Sequence, residues 1–201
     1  GNKIVSNLFQ TVELEAFRAG ITPRTKESRD WFRKKVQNMR NLNRRALMNE
    51  DPVEKRSKHA SGSMFMFFYD AKNRDTLPYW DSFPLVIAIG PAAKGFYGMN
   101  LHYLPIPLRA KFLDNLMDIT NNKKYNESTR FEVSYQFLNR AAKFKYFKPC
   151  FKHYLTSQID SRIVMVQPPE WEIAIFLPTE QFAKAKKTEV WKDSYKIARG
   201  L

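Results

Sequence analysis

Short apolar runs separated by turn residues occupy the stretch before the midpoint of the chain. Residues 64–69, 83–89 and 96–103 are three such runs, and each is bounded by polar, glycine or proline residues. Runs of this length, rich in aromatic and branched side chains, are typical of β-strands joined by tight turns. Pro84 suits only a strand start or an edge, and Gly98 marks a bulge or a close approach. The pattern predicts a small antiparallel sheet that needs more strands or helices over its faces.

Apolar residues at helical spacing predict helices on both sides of these strands. Residues 26–48 follow Thr25, a good N-cap, and place Trp31 and Val36 on one face while arginines and lysines cover the others. At ~1.5 Å per residue such a helix is roughly 35 Å long. A second helix is predicted over residues 108–119.

The last third of the chain is predicted to complete the sheet. Residues 162–167 and 171–177 are apolar, β-branched runs separated by two prolines, and they predict an antiparallel pair of strands. From Thr179 the chain becomes polar with sparse apolar anchors, which predicts a basic helix.

These elements predict an α+β fold. It consists of a small bent antiparallel sheet, for which an SH3-like barrel is one arrangement, surrounded by helices, with a long basic N-terminal helix. Three regions follow: a helical, basic N-terminal region (residues 1–58), the sheet core with inserted helices (residues 59–178) and a basic C-terminal helix (residues 179–201). Hydrophobic residues make up 43% of the chain, which is enough for a real core. The longest apolar runs are too short for a membrane span and the start lacks a signal peptide, so no membrane partner is expected.

Positive charge is clustered along the chain. The net charge is +14, and residues 24–58 hold twelve basic residues against five acidic ones. Residues 136–159 contain no acidic residue, and their lysines alternate with aromatic residues. This mixture suits phosphate contacts beside aromatic platforms, although buried aromatics under solvated lysines would give the same pattern. A nucleic acid or another polyanion is the expected partner.

The candidate DNA-binding residues come from these two clusters. They are Arg29, Arg33, Lys34, Arg40, Arg44, Arg45, Arg140, Lys143, Lys145, Lys148 and Lys152.

A search for catalytic constellations finds little. The chain has no glycine-rich phosphate loop and no motif of a serine hydrolase or zinc protease. The histidines lie far apart, and His102 suits a structural hydrogen bond better than catalysis. Cys150 follows a proline in a basic, aromatic setting that could lower its thiol pKa, but a small buried hydrophobic residue is the commoner role.

Metal-dependent nuclease chemistry is a minor alternative. Asp70, Asp75 and Asp81 are predicted in loops at one end of the sheet, and Glu170 and Glu172 flank a tryptophan. A lysine two residues after Glu172, as in a common nuclease core, is missing. We therefore expect no enzymatic activity, no catalytic residue, no metal and no cofactor.

Four phrases of the sequence carry a family resemblance. They are AGITPRTKESRDWF (residues 19–32), MFMFFYDAKNRDTLPYWDSFPLVIAIG (residues 64–90), GFYGMNLHYLP (residues 95–105) and FKPCFKHYL (residues 147–155). The chain resembles, over about two thirds of its length, the DNA end protector or head-completion proteins of large contractile-tailed bacteriophages.

The resemblance implies a virion protein that sits on the ends of packaged linear duplex DNA. After injection it would shield those ends from host exonuclease without cutting them. The expected partners are double-stranded DNA ends and phage capsid, portal or neck proteins, and a ring or dimer around an end is one arrangement. The expected locations are the virion, and the host cytoplasm during assembly and after injection.

Two functions thus remain beside the nuclease alternative. The leading hypothesis is sequence-independent binding and protection of linear DNA ends through backbone contacts. The second is a structural protein of the virion neck, tail or baseplate, whose basic faces dock on acidic neighbours.

Overall fold

The computed structural model describes residues 12, 15–21, 26–36, 44, 62–120, 146–166 and 170–200. Residues 15–18 are helical, and longer helices and strands follow one another along the rest of this part of the chain. In chain order they are α1 (Lys26–Val36), β1 (Met64–Met66), β2 (Trp80–Asp81), β3 (Leu85–Ala92), β4 (Gly95–Asn100), α2 (Ile106–Thr120), β5 (Phe151–Leu155), β6 (Val164–Val166), α3 (Trp171–Phe176), β7 (Phe182–Ala183) and α4 (Lys187–Arg199). Three 3-10 turns, Leu101–Tyr103, Lys148–Cys150 and Thr156–Gln158, follow or precede strands. The mixed content confirms the predicted α+β class.

Five strands form one antiparallel sheet in the order β5-β4-β3-β1-β6. A bulge between Ala88 and Gly90 shifts the register of β3 against β4, which bends the sheet. Because β5 and β6 are both edges, the sheet of the described chain is open and does not close into the suggested SH3-like barrel. β2 and β7 form a separate two-stranded ribbon.

The strands before the midpoint lie close to their predicted positions, but one of them ends earlier than predicted. Pro84 precedes β3, as its missing N–H requires. The third strand ends at Asn100 and not at residue 103, because the Asn100 side chain accepts the backbone N–H of His102 and starts a 3-10 turn. Gly98 is a close approach: a Cβ there would lie 2.2 Å from Val86 Cγ1.

The two faces of the sheet carry different cores. One face packs under the helices, where residues such as Met64, Ile87 and Phe112 are fully buried. The opposite face carries a smaller cluster of Phe65, Phe67, Val86, Ala88, Phe96 and Tyr154. Its aromatic rings meet mainly edge to face, a favourable arrangement for the ring quadrupoles.

The predicted strand over residues 171–177 is wrong. This segment is helix α3, and all six of its residues are buried. A short apolar run without polar alternation fits a buried helix as well as a buried strand, so the sequence pattern could not distinguish the two. α3 packs against α1 and α2, and β6 pairs with β1 instead. A buried hydrogen bond of 2.5 Å from Ser28 Oγ to Glu172 Oε2 joins α1 to α3.

The C-terminal helix begins later than predicted. Residues 179–186 lie outside any helix and include β7, and α4 starts at Lys187. α4 packs against the 3-10 turns Leu101–Tyr103 and Lys148–Cys150. It ends at Gly200, whose φ of 71° gives the left-handed C-cap that glycine favours.

Some predicted elements fall outside the described residues. Within the predicted helix 26–48 the structure describes residues 26–36, as α1, and residue 44. Residues 45–61 and 121–145 also lie outside the described part of the chain. Among the described helices, none combines the length and the apolar character that crossing a membrane requires.

Candidate nucleic-acid interface

A buried polar network joins the β2–β7 ribbon to the first 3-10 turn. Asp81 Oδ2 lies 2.6 Å from His102 Nδ1 and accepts a hydrogen bond of 3.0 Å from Asn100 Nδ2. Asp81 Oδ1 accepts the backbone N–H groups of Phe83 and Gln181. His102 Nε2 lies 2.7 Å from the Thr179 hydroxyl, so both ring nitrogens are engaged.

This network has a structural role, as expected for His102. Asp81, His102 and Thr179 resemble the members of a nucleophilic triad in order, but His102 and Thr179 are fully buried, and so no substrate reaches the hydroxyl. Burial opposes ionisation of Asp81. The imidazole, the Asn100 amide and the Phe83 N–H outweigh burial, and they hold the pKa of Asp81 below its ordinary value.

A second buried charge holds the helices to the segment before α4. The Arg109 guanidinium donates to the carbonyls of Leu104 and Ile175 and to Glu180 Oε2 at 3.2 Å. Lys187 Nζ reaches the other oxygen of Glu180, also at 3.2 Å. The two cations hold the pKa of Glu180 low against the effect of burial. This pair fixes the start of α4 on the body of the fold.

A pocket of about 470 Å³ opens beside the Asp81 network. We call it the tyrosine pocket. Its walls come from the loop before β2, the first 3-10 turn and β5. Its lining includes Tyr69, Tyr79, Trp80, Tyr103, Lys152 and Tyr154, with Lys72 also in the lining and exposed.

Lys152 supplies the cation of the tyrosine pocket. It lies on β5 two residues before Tyr154, so both side chains leave the same face of the sheet. Its Nζ lies 3.9 Å from the centre of the Tyr103 ring. Burial, the largest influence, lowers the pKa of Lys152. No described carboxylate forms a salt bridge with this ammonium group.

The other candidate DNA-binding residues occupy different surroundings. Lys34 on α1 and Lys148 in the second 3-10 turn are exposed. Arg44 donates to the carbonyls of Thr179 and Glu180, at 3.0 and 2.8 Å, and so holds the chain before β7. For two candidates the structure describes the backbone alone, on α1; they are Arg29 and Arg33. Five more lie outside the described residues; they are Arg40, Arg45, Arg140, Lys143 and Lys145.

The structure adds a basic surface on α4 that was not among the sequence candidates. Lys192, Lys196 and Arg199 are exposed and stand at i, i+4 and i+7, which places them on one side of the helix. None of them forms a salt bridge with a described residue. We call these three residues the α4 stripe. Because α4 packs on the turn that carries Lys148, the fold brings a distant part of the sequence to this helix.

The sequence holds only part of the signal for the α4 stripe. The basic residues of the tail are visible there, but its apolar anchors are too sparse to show which side of the helix faces the core. The position of α4 beside Lys148 depends on contacts across many residues, and no local pattern encodes it.

The acid-free tract over residues 136–159 has both buried and exposed aromatic residues. Core packing therefore accounts for some of them, and an exposed aromatic platform for others. Tyr154 is buried and Phe147 is half-buried, whereas Tyr146 and Phe151 are exposed. Phe151 stacks on Tyr97 of the neighbouring strand, with ring centres 5.2 Å apart. Cys150 is fully buried, and burial raises the pKa of its thiol to about 12, so it acts as a small core residue.

The carboxylates considered for a nuclease do not converge. Asp81 is buried in its network, while Asp70 pairs with Arg74 on the surface and Glu172 is buried against α1. Within the described ranges, no group of three histidine, cysteine or acidic residues is arranged to hold a metal ion.

Comparison with protein families identifies relatives of the chain. Residues 2–195 match the model of the family described as phage T4 terminal DNA protecting protein. The chain belongs to this family. No curated protein and no solved structure matches the chain.

Membership in the terminal DNA protecting protein family confirms the resemblance seen in the four sequence phrases. The family description concerns phage and the protection of DNA termini, and it names no reaction. This agrees with the expectation of a protein that is not an enzyme.

Proposed function

We propose that this protein binds the ends of linear double-stranded DNA without regard to sequence and shields them from exonucleases. The family match over residues 2–195 is the observation that carries the proposal. Binding through phosphates supports a sequence-independent role, because phosphate contacts position a protein without reading bases. The protein acts as a steric cover, and the bonds of the DNA stay intact.

The charged surfaces of the fold support contacts with the DNA backbone. The α4 stripe extends along roughly 10 Å of helix at ~1.5 Å per residue. Its side chains form no salt bridge with a described carboxylate. Lys148 lies in the turn on which α4 packs, and Lys34 offers a further exposed cation on α1. The candidates outside the described residues stay predictions from the sequence.

The proposal extends to the place of the protein in the phage. It would be a minor component of the virion that contacts capsid, portal or neck proteins as the head is completed. It would enter the host with the DNA and remain on the ends in the cytoplasm. Co-purification of the protein with intact virions, and its absence from virions emptied of DNA, would support this location.

An exonuclease-protection assay tests the function. Linear duplex is incubated with a processive exonuclease, with and without the purified protein, and the surviving full-length DNA is measured. We expect protection at protein concentrations that saturate the ends. Degradation at the unprotected rate under saturating protein would contradict the proposal.

Charge reversal on the α4 stripe tests the surface. We expect Lys192→Glu with Lys196→Glu to lower both affinity for duplex and protection. Removing two phosphate contacts also flattens the slope of log affinity against log salt by about 2, at ~0.9 per contact. The matched control reverses two exposed cations on other elements, Arg18→Glu with Lys111→Glu, at the same net charge. Equal loss in both variants would attribute binding to net charge and not to the α4 stripe.

A further inference from the structure

The tyrosine pocket joins a cation to flat aromatic walls, and no described carboxylate forms a salt bridge with that cation. The ammonium group of Lys152 faces the ring of Tyr103 at 3.9 Å and forms no salt bridge with a described carboxylate. A ring face compensates only part of the hydration that a buried ammonium loses. Lys152 therefore has hydrogen-bond donors left for an anionic ligand.

Asp81, the acid in the pocket lining, attracts Lys152 through space but accepts no hydrogen bond from it. Both oxygens of Asp81 are already occupied, by two backbone N–H groups on Oδ1 and by Asn100 and His102 on Oδ2. Because this buried carboxylate already accepts four hydrogen bonds, it fixes the wall, and the hydrogen-bond donors of Lys152 remain available to a ligand.

The pocket walls indicate the chemistry of the rest of the ligand. Tyr69, Tyr79, Tyr103 and Tyr154 line the pocket together with Trp80. Aromatic rings stack on any nucleobase, because every base has a π-face. Two wall residues are held in place, since Tyr79 is hydrogen-bonded to Asp193 of α4 and Tyr69 Oη accepts the N–H of Leu155. Walls fixed in this way are suited to a flat ring.

We propose that the tyrosine pocket receives the terminal nucleotide of a DNA strand, with its phosphate on Lys152 and its base against the tyrosine rings. This proposal rests on the proposed function and names the group by which an end differs from the rest of a duplex. The pocket volume of about 470 Å³ lies within the usual range for small-molecule sites. A terminal base pair has a stacked neighbour on one side only, so removing one base from it costs less than inside the duplex.

A terminal nucleotide bound in the pocket would protect the DNA end sterically. A nucleotide enclosed by the pocket walls is no longer free for an exonuclease, which must itself take hold of the end. Lys72 lies in the exposed part of the lining, where the phosphate of the next nucleotide would pass. Stacking tolerates every base, so the site needs no particular terminal sequence.

Binding to open and closed duplexes tests the pocket. The affinity of the full chain is measured for a blunt linear duplex and for a dumbbell of the same sequence, whose ends are closed by ligated hairpin loops. We expect the wild type to prefer the open duplex. Lys152→Met keeps the apolar stem but removes the charge, and it should lower affinity for the open duplex by about tenfold or more while leaving the dumbbell unaffected. Lys152→Arg should keep most of the preference.

Lys148→Met is the matched comparison. Lys148 is exposed, lies four residues earlier and is not part of the pocket lining. As a contact to the DNA backbone it should weaken open and closed duplexes equally. A Lys152→Met protein that retains the full preference for open ends would overturn the pocket proposal alone. A wild type that binds both duplexes equally would instead overturn direct end recognition, and with it the proposed function.

A second measurement does not depend on any variant. The fluorescent base 2-aminopurine is placed at the terminal position of the open duplex or five positions inward, and the wild-type protein is added. We expect a change in emission at the terminal position only, because the base leaves the duplex stack for the tyrosine rings. Equal changes at both positions would overturn the proposal. Displacement of the duplex by micromolar free deoxynucleoside monophosphate would identify the occupant as a free nucleotide and would also overturn it.

Discussion

Asp81 illustrates how one buried side chain can organise several elements. Its carboxylate accepts hydrogen bonds from the Phe83 N–H just before β3, from Asn100 at the end of β4, from His102 in the following 3-10 turn, and from the Gln181 N–H before β7. The residue is 2% exposed, so none of these bonds competes with much water. A buried acceptor with four donors is therefore expected to matter more for stability than a surface carboxylate.

Replacing Asp81 with asparagine should destabilise the fold. The amide keeps one acceptor oxygen and turns an NH₂ group toward two of the four donors, whichever way it is oriented. We expect the free energy of unfolding to fall by about 2–4 kcal/mol. Urea unfolding measures the loss as a lower midpoint, with an unchanged slope of unfolding free energy against urea concentration. Asp75→Asn, an exposed control, should change stability by less than about 0.5 kcal/mol, and an equal effect in both variants would refute the network's role.

The same residue predicts the direction of the pH dependence. The pKa of Asp81 is lower in the folded chain than its ordinary value of 3.8. Its contribution to stability is therefore complete above that value and is lost as the pH falls through the lower, folded pKa. The difference in unfolding free energy between wild type and Asp81→Asn should narrow as the pH falls below about 4. A difference that widens in acid would contradict this assignment.

At the scale of elements, the sequence predicted what depends on local patterns. β1, β3 and β4 were anticipated from short apolar runs, and α2 from its helical spacing, because each pattern lies within one element. The run that forms α3 was misassigned because it is apolar throughout. β2 and β7 have two residues each, too few for any periodicity.

The candidate site shows the same division. Lys152 was singled out because it lies in a basic, aromatic tract, and the structure places it in a pocket with aromatic walls. Tyr69, Tyr79 and Tyr103 were not expected there, since they come from a loop and a turn far from β5 in the sequence. The hydrogen bond from the Gln181 N–H to Asp81 joins residues 100 positions apart, and nothing local to either position specifies it.

Close packing of β3, β4 and β5 gives a prediction at this scale. A Cβ on Gly95 would lie 1.8 Å from the backbone oxygen of Tyr154, whereas a Cβ on Gly98 would lie 2.2 Å from a side-chain methyl of Val86. The backbone of β5 cannot move without breaking the ladder, but a side chain can adjust. We expect Gly98→Ala to cost about 1–3 kcal/mol and Gly95→Ala to cost more.

Urea unfolding of both variants measures these costs. Adding Val86→Ala to Gly98→Ala removes the blocking methyl, so the clash no longer adds to the cost of the smaller side chain. The two substitutions should therefore cost less together than the sum of their separate effects. No such second substitution is available for Gly95, since its neighbour is backbone. A Gly95→Ala protein as stable as the wild type would show that β4 and β5 are less closely packed than described.

At the scale of the whole molecule, the proposed function combines two kinds of DNA contact. The net charge of +14 and exposed cations such as the α4 stripe would attract any duplex, through an interaction that salt screens. The tyrosine pocket is a local site that would hold one nucleotide. The first kind of contact would supply affinity along the backbone, and the second would supply the distinction between an end and an internal position.

This division of roles predicts how end preference responds to salt. If six to ten phosphates are contacted, affinity for either the open duplex or the dumbbell should fall by about 10³ to 10⁵ between 50 and 200 mM salt. The ratio of the two affinities should change by only about three- to fourfold, because the pocket adds a single phosphate contact to those shared by both ligands. Titrations of both duplexes at several salt concentrations give the two slopes, which should differ by about 1. A preference for open ends that disappears in parallel with the affinities would mean that general electrostatic attraction produces it, and the pocket would then have no part in recognising an end.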